Sequence, residues 1–341
     1  MLYHRVTIAA ASYVLPDEVV TTAEIERRLA PLYDRLKLPE GRLELMTGIR
    51  ERRFFPPGVR ISDVSIRAAR NAIDESGLDP ALFGALVHGS VCRDQLEPAT
   101  ACRVHHAVGL PAACQVYDVS NACLGILTGA VQIANLIELG QIRAGVVVGT
   151  ECGRELVENT IAGLNADESL TRASIKNSIA SLTIGSASAA LVLCAAELAP
   201  HGHRFLGGAC RADSTWNELC QSEGLAQQMQ TDSETLLREG VQSGVQNFGA
   251  FLGELGWSAA EIDKTVCHQV GVAHRKLMLD SLGLDPGRDF STFEWLGNTG
   301  AAALPASLAI AAERGHFAKG ECVGLLGIGS GINCLMLGVE W

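Results

Sequence analysis

The chain has 341 residues, of which 48% are hydrophobic, 19% charged and 5% aromatic, and 27 basic against 38 acidic side chains leave a net charge of −11. It is long enough for one large or two ordinary domains with a well-buried core, and too apolar to be disordered. The acidic balance argues against nucleic-acid binding, and the few aromatics argue against base-stacking or carbohydrate platforms.

Val6–Val14, rich in small and β-branched residues, reads as a buried strand. Thr21-Thr-Ala-Glu24 matches the capping box that opens a helix. Ile61–Ser76 reads as an amphipathic helix ending at Gly77, followed by the strand Ala85–Ser90. Pro98–Ala107 reads as a helix with proline in its first turn, and Gln115–Val119 as a short strand. Leu124–Leu139 is apolar nearly all round, which predicts a buried helix. Ala144–Gly149 and Ala189–Cys194 read as core strands, while the more polar stretch 154–180 reads as a loop insertion or interface excursion. Strands alternating with helices predict an α/β protein with covered sheets.

The order of elements repeats. Asn121-Ala-Cys123 opens an apolar helix ending at Gly140 and leading to Val146–Gly149; Asn298-Thr-Gly300 opens another, ending at Gly315 and leading to Val323–Gly327. Upstream, Ala85–His88 and Thr265–His268 each lead through a helix to a Gly/Pro-containing turn. This predicts two similar halves, 1–200 and 201–341, with the Cys123 and Asn298 loops converging about a pseudo-twofold axis.

The eleven cysteines form no C-x-x-C pair and no disulfide framework, so most are read as small core residues of a reduced, cytoplasmic protein. The N-terminal stretch does not read as a secretory signal, and no apolar run is long enough to span a membrane. His105-His106 and His201-Gly-His203 lack partner ligands at useful spacing, so no metal site is assigned. No G-x-S-x-G elbow or Walker A motif is present.

Five positions could carry chemistry. Cys123, at a strand-to-helix turn, would sit in the positive potential of a helix N-terminus, which lowers a thiol's pKa and can hold an oxyanion. His268 follows an apolar strand, where α/β sheets place their sites, although His88 occupies the matching strand of the first half. Asn298 is a turn residue or a hydrogen-bond donor. Glu97 is either a favourable charge near a helix start or a base directed into a site. Gly327–Gly331 is followed by a strand rather than a helix, so it reads as a tight turn bringing backbone, including that of Ser330, close to a ligand. On local grounds a packing or capping role remains open for each of the four side chains.

A cysteine in Asn121-Ala-Cys-Leu124, then His268-Gln-Val270, then Asn298-Thr-Gly-Ala301, then Gly327–Cys334, together with Arg93–Thr100 and Thr215–Cys220, resembles the ketoacyl-ACP synthase III branch of the thiolase superfamily over essentially the whole chain. Within that branch the segments are most similar to the condensing enzymes of olefin biosynthesis. The resemblance implies a five-layered αβαβα fold from duplicated halves, in a homodimer. It implies Cys123 as acyl-accepting nucleophile, His268 and Asn298 as one oxyanion site, and the amides of Cys123 and Ser330 as the other. It implies Glu97, reaching in from the partner subunit, as the base that removes an α-proton, with its carboxyl raised by burial among apolar tunnel walls. The function implied is non-decarboxylative Claisen condensation of two fatty acyl-CoAs, with no cofactor beyond the coenzyme A thioesters. The alternatives are decarboxylative condensation with a malonyl thioester, acyl transfer to another acceptor, or a non-catalytic subunit. The family's basic carrier-docking residue is missing after His268-Gln269, so carrier-protein docking is doubtful; Ser330 replaces a family glycine, which matters only if that position needs a positive φ.

Overall fold

The first half of the chain lays down strands β1 (Val6–Val14), β2 (Glu18–Thr21) and β3 (Glu51–Phe54), with short helices α1 (Thr22–Arg28), α2 (Ala30–Leu36) and α3 (Arg42–Thr47) between β2 and β3. It continues through α4 (Ile61–Ser76), β4 (Phe83–Gly89), α5 (Thr100–Val108), β5 (Gln115–Val119), α6 (Gly125–Glu138), β6 (Ala144–Glu151), α7 (Arg154–Ala166) and β7 (Ala187–Ala195). The second half comprises β8 (His203–Ala212), the two-residue strands β9 (Cys220–Gln221) and β10 (Gln230–Thr231), α8 (Ser233–Leu255), β11 (Lys264–Cys267), α9 (Val272–Leu282), α10 (Phe293–Leu296), α11 (Ala303–Glu313), β12 (Cys322–Gly329) and β13 (Asn333–Glu340). This computed structural model describes residues 1–222, 229–268 and 270–341; Gln269 of the His-Gln pair lies outside them.

The main sheet runs β11-β12-β13-β8-β1-β7-β6-β4-β5. Its order mirrors about the β8–β1 contact. On one side β4 pairs parallel with β6, β6 antiparallel with β7, and β7 antiparallel with β1. On the other, β11 pairs parallel with β12, β12 antiparallel with β13, and β13 antiparallel with β8.

Alternation of side chains sorts the core into layers. Val147, Leu191 and Leu193 of one half, and Leu325, Leu335 and Leu337 of the other, face a shared core built on α6 and α11. Val146, Val148 and Val192 face the opposite way, onto Val64, Ala68, Ala72 of α4 and Val104 of α5. Leu326, Ile328 and Met336 turn outward onto Val241 and Phe248 of α8 and Met278 and Leu279 of α9. The result is the thiolase fold, with five layers, helix–sheet–helix–sheet–helix. The apolar circumference of α6 follows from its place in the middle layer: Ile126, Leu127, Ile133 and Ile137 are all buried. Each is worth about 1.5–3 kcal/mol of transfer free energy.

Two sequence expectations change. The stretch 154–180 is not a loop: α7 presents Val157, Ile161 and Leu164 to Ile25, Leu29 and Leu32 of α1 and α2, forming a satellite core. Its apolar face is narrow, so the pattern looked polar. Pro98 lies before α5 rather than in its first turn; the Glu97–Pro98 bond is cis, and the Asp118 carboxylate accepts from the Thr100 and Ala101 amides at 2.9 Å each. At Thr21 the capping reading holds, its hydroxyl accepting from the Glu24 amide at 3.1 Å. Among the described residues no helix is long and apolar enough to cross a membrane.

Candidate active site

Cys123 stands two residues before α6, in a turn closed by the Leu124 amide donating to the Asn121 carbonyl at 2.8 Å. Ala122 holds φ of 44°, a left-handed conformation that costs a residue with a Cβ. Close backbone approach seats this turn. A Cβ on Gly89 would lie 2.4 Å from the Gly125 carbonyl oxygen, and one on Gly125 would lie 2.8 Å from the Gly89 carbonyl carbon. The end of β4 and the first turn of α6 therefore touch only because both residues are glycine.

Three other segments are tied to this turn, directly or through β12 and α6. The first is the end of β12: a Cβ on Gly329 would lie 3.6 Å from the Cys123 amide nitrogen. Ser330 follows in the β12–β13 turn, and the left-handed backbone falls on Gly331, with φ of 102°, not on Ser330. A serine at that position is therefore accommodated.

The second is the end of β11. The His268 amide donates to the Leu326 carbonyl at 3.0 Å, three residues before Gly329 on the same strand. Asp289, paired with Arg275 at 2.6 Å, accepts from the Cys267 amide at 3.1 Å and from the Thr265 hydroxyl at 3.0 Å, fixing the strand end. His268 is 4% exposed, and its Nδ1 is buried with no hydrogen-bond partner among the described residues. Burial, followed by the neighbouring His274, pushes its pKa down to about 3, so the ring is neutral. His274, in the first turn of α9, is pushed to about 4 by burial and also carries an unpartnered Nδ1.

The third is the Asn298 turn. The Asn298 amide donates to the Thr183 carbonyl at 2.9 Å, and its carbonyl accepts from the Gly185 amide at 2.9 Å. Its Oδ1 accepts from the Gly300 amide at 3.0 Å, which leaves Nδ2 as the donor end of the side chain. The 3-10 turn Gly300–Ala302 contacts both β6 and α6.

Glu151, the last residue of β6, joins these parts and was not singled out in the sequence. It is 5% exposed. Its carboxylate accepts from the Val91 amide at 2.9 Å, the Cys92 amide at 3.2 Å and the Ala301 amide at 3.2 Å. The available signal was an acid closing a fully buried strand whose first six residues are apolar.

The thiol corrects an expectation. A helix N-terminus was expected to favour the thiolate. Instead burial, then the charges of Glu151 and Cys220, push the Cys123 pKa up to about 12. Desolvation outweighs the backbone amide that opposes it. Cys123 is therefore a thiol, and His268, at the end of the neighbouring β11, is a neutral ring.

Glu97 does not join the cluster. It lies exposed on its own chain, beside Leu96, which is 95% exposed. The burial expected around its carboxyl is not supplied by the described residues of its own chain. Among the described residues no group of His, Cys, Asp and Glu could hold a metal ion, and all eleven cysteines are unpaired.

A five-layered fold with Cys123 at a helix start against β12, His268 at the end of β11 beside β12, and the Asn298 turn bound to β6 defines an acyltransferase of the thiolase superfamily, in its ketoacyl-ACP synthase III branch. Residues 45–193 match the thiolase N-terminal domain, and residues 252–341 match the C-terminal domain of 3-oxoacyl-[acyl-carrier-protein] synthase III. The acyl-CoA:acyl-CoA alkyltransferase of Shewanella oneidensis is 44% identical, and that of Xanthomonas campestris 36% identical, each over 100% of both chains. A crystal structure of a cysteine-to-alanine variant of X. campestris OleA matches with a TM-score of 0.96 at 36% identity, over 100% of this chain and 98% of that one. A cysteine-to-serine variant with bound lauric acid and lauroyl-CoA matches with the same TM-score over 100% of both. The chain belongs to the acyl-CoA:acyl-CoA alkyltransferase (OleA) family.

Proposed function

We propose that this protein joins two fatty acyl-CoA thioesters by non-decarboxylative Claisen condensation. The observation that carries the reading is that the end of β12 lies against the Cys123 amide and also holds the buried neutral His268, whose Nδ1 has no hydrogen-bond partner among the described residues, while the Asn298 turn is bound to β6 through Glu151.

In the first half-reaction the Cys123 sulfur attacks the thioester carbonyl of one acyl-CoA. A sulfur–carbon bond forms, the tetrahedral oxyanion is held by the Cys123 and Ser330 amides, and coenzyme A leaves with the thiol proton. The resting thiol matches this sequence, because no charged sulfur has to be buried before substrate arrives. In the second half-reaction a base removes an α-proton from the second acyl-CoA. His268 and the Asn298 amide group donate to the enolate oxygen; the α-carbon then attacks the acyl-cysteine carbonyl and the Cys123 thiolate leaves. The product is a β-ketoacyl-CoA.

Glu97 is the base, supplied by a second copy of the chain. Its exposure on its own protomer agrees with a residue that works elsewhere. The glutamate substituted in one X. campestris OleA variant and the cysteine substituted in another stand 26 positions apart, the separation of Glu97 and Cys123 here. We accordingly infer a homodimer, built from duplicated halves 1–200 and 201–341, for which the mirrored strand order is support. Coenzyme A thioesters rather than carrier-bound acyl groups are the substrates, and the reaction as written needs no other cofactor. Eleven unpaired cysteines fit a reducing cytoplasm, and the product fits entry into olefin biosynthesis.

The test is incubation with a single long-chain acyl-CoA and no malonyl donor. Free coenzyme A together with a β-ketoacyl product, or the ketone formed from it, is expected. Coupling that appears only with a malonyl thioester, accompanied by carbon dioxide, would overturn the reading.

A further inference from the structure

Glu151 is a buried acid that the proposed half-reactions leave without a role. Every partner of its carboxylate belongs to a segment used after acylation. The Ala301 amide, at 3.2 Å, belongs to the turn that begins at Asn298. The Val91 and Cys92 amides, at 2.9 and 3.2 Å, root the loop that leads to Glu97. Among the described residues no hydrogen-bond partner of the carboxylate lies in the β12–β13 turn that supplies the other oxyanion site. The contact with the Asn298 turn is tight on the carbon side as well: a Cβ on Gly300 would lie 3.0 Å from Glu151 Cγ.

We infer that Glu151 is a positioning residue for condensation alone, its carboxylate clamping the Asn298 turn to the root of the Glu97 loop. This rests on the function proposed above. A carboxylate suits the task because it only accepts, and three amide donors converge on it. Oε1 takes the Val91 and Ala301 amides and Oε2 the Cys92 amide, so a glutamine either turns its NH2 group on Cys92 and loosens the loop root or turns it on Val91 and Ala301 and releases the Asn298 turn. Displacing a donor or base by about 1 Å costs on the order of 100-fold in rate.

The ionisable groups near this carboxylate are Cys92, from the loop after β4, and Cys123, from the turn before α6; Cys123 also faces Cys220. Removing the Glu151 charge leaves a thiol whose pKa that charge had helped to raise. The clamp therefore predicts two opposite effects in one variant.

The experiment compares the parent enzyme with Glu151→Gln, given one long-chain acyl-CoA. Intact mass follows the acyl adduct on Cys123, product formation follows condensation, and the pH dependence of iodoacetamide alkylation follows the thiol. Expected in the variant are acylation within about 3-fold of the parent, condensation slower by about 100-fold, and an alkylation profile shifted to lower pH. Equal losses in both half-reactions, or unimpaired condensation, overturns the inference. If Glu151→Gln does not fold, Glu151→Asp is tested. It keeps the charge but withdraws it by one methylene, and is expected to show the same split with an unshifted alkylation profile; equal losses there overturn the inference too. A parent enzyme that acylates but never condenses instead removes the proposed function, and the two failures are told apart by that control.

Discussion

The two halves of the sheet end in histidines at matching places, His88 after the core of β4 and His268 after β11, and both rings are buried. They differ in what surrounds the ring. His88 has the Ser65 hydroxyl at 3.0 Å from Nε2 and the Ser90 hydroxyl at 3.3 Å from Nδ1. Ser65 continues to Thr150 at 2.6 Å, and Thr150 to Ser188 at 2.8 Å, so one hydroxyl chain ties α4 to β6 and β7. His268 has a buried Nδ1 with no partner among the described residues. A buried polar atom left unpaired costs roughly 1–3 kcal/mol, and folds keep such atoms where a ligand or reaction uses them. Position at a strand end is shared; satisfaction of the ring separates scaffold from chemistry.

The largest expected effect is a crossing of phenotypes. His268→Ala removes an oxyanion donor and should slow condensation by about 100- to 1000-fold while leaving the melting temperature within a few degrees. His88→Ala leaves a cavity beside the hydroxyl chain and takes one partner from each of the Ser65 and Ser90 hydroxyls, at a cost of about 2–4 kcal/mol in urea unfolding, with the rate per folded molecule nearly unchanged. Matching losses of stability and activity in both variants would break the distinction.

The next effect is in pH. Burial lowers both pKa values from 6.5, to about 4 for His88 and about 3 for His268. The unfolded chain therefore takes up protons near pH 6.5 that the folded chain refuses. Each histidine's contribution is complete above pH 6.5 and is lost as pH falls toward the folded value, at up to about 1.4 kcal/mol per pH unit. Glu151, whose carboxyl is raised by burial, acts with the opposite sign. Subtracting the parent from each single-histidine variant cancels it. Urea midpoints between pH 7 and 5 should fall less steeply in either variant than in the parent; equal slopes would mean that the folded rings take up protons as readily as the unfolded ones.

How far the sequence carried this distinction depended on whether the cause was local. Periodicity located α4 and α6, and the repeated order of elements led to the expectation that the Cys123 and Asn298 turns converge, which the packing of Gly300–Ala302 on α6 supports. What sequence could not supply was the surroundings. His88 and His268 read alike because Ser65 reaches His88 from another element and is itself held by Thr150 and, beyond it, Ser188. The direction of the Cys123 shift was misjudged because it is set by burial and by Glu151, 28 positions away, rather than by the adjoining helix. The burial of Glu97 failed to appear because no described residue of its own chain covers it.

A second difference between the halves gives the smallest expected effect. In the repeat, Glu151 at the end of β6 corresponds to Gly329 at the end of β12. One strand end carries an acid that gathers amides; the other carries no side chain, and its backbone lies against the Cys123 amide. If the β12–β13 turn works through backbone, side chains there are dispensable wherever φ is ordinary. Ser330→Ala should then change the acylation rate by less than about 3-fold and stability by no more than about 0.5 kcal/mol, as for a surface site. Gly331→Ala, forced to hold φ of 102°, should cost about 1–3 kcal/mol and slow acylation with it. A Ser330→Ala variant that loses acylation outright would give the hydroxyl a direct part in the first half-reaction, and the two strand ends would then both act through side chains.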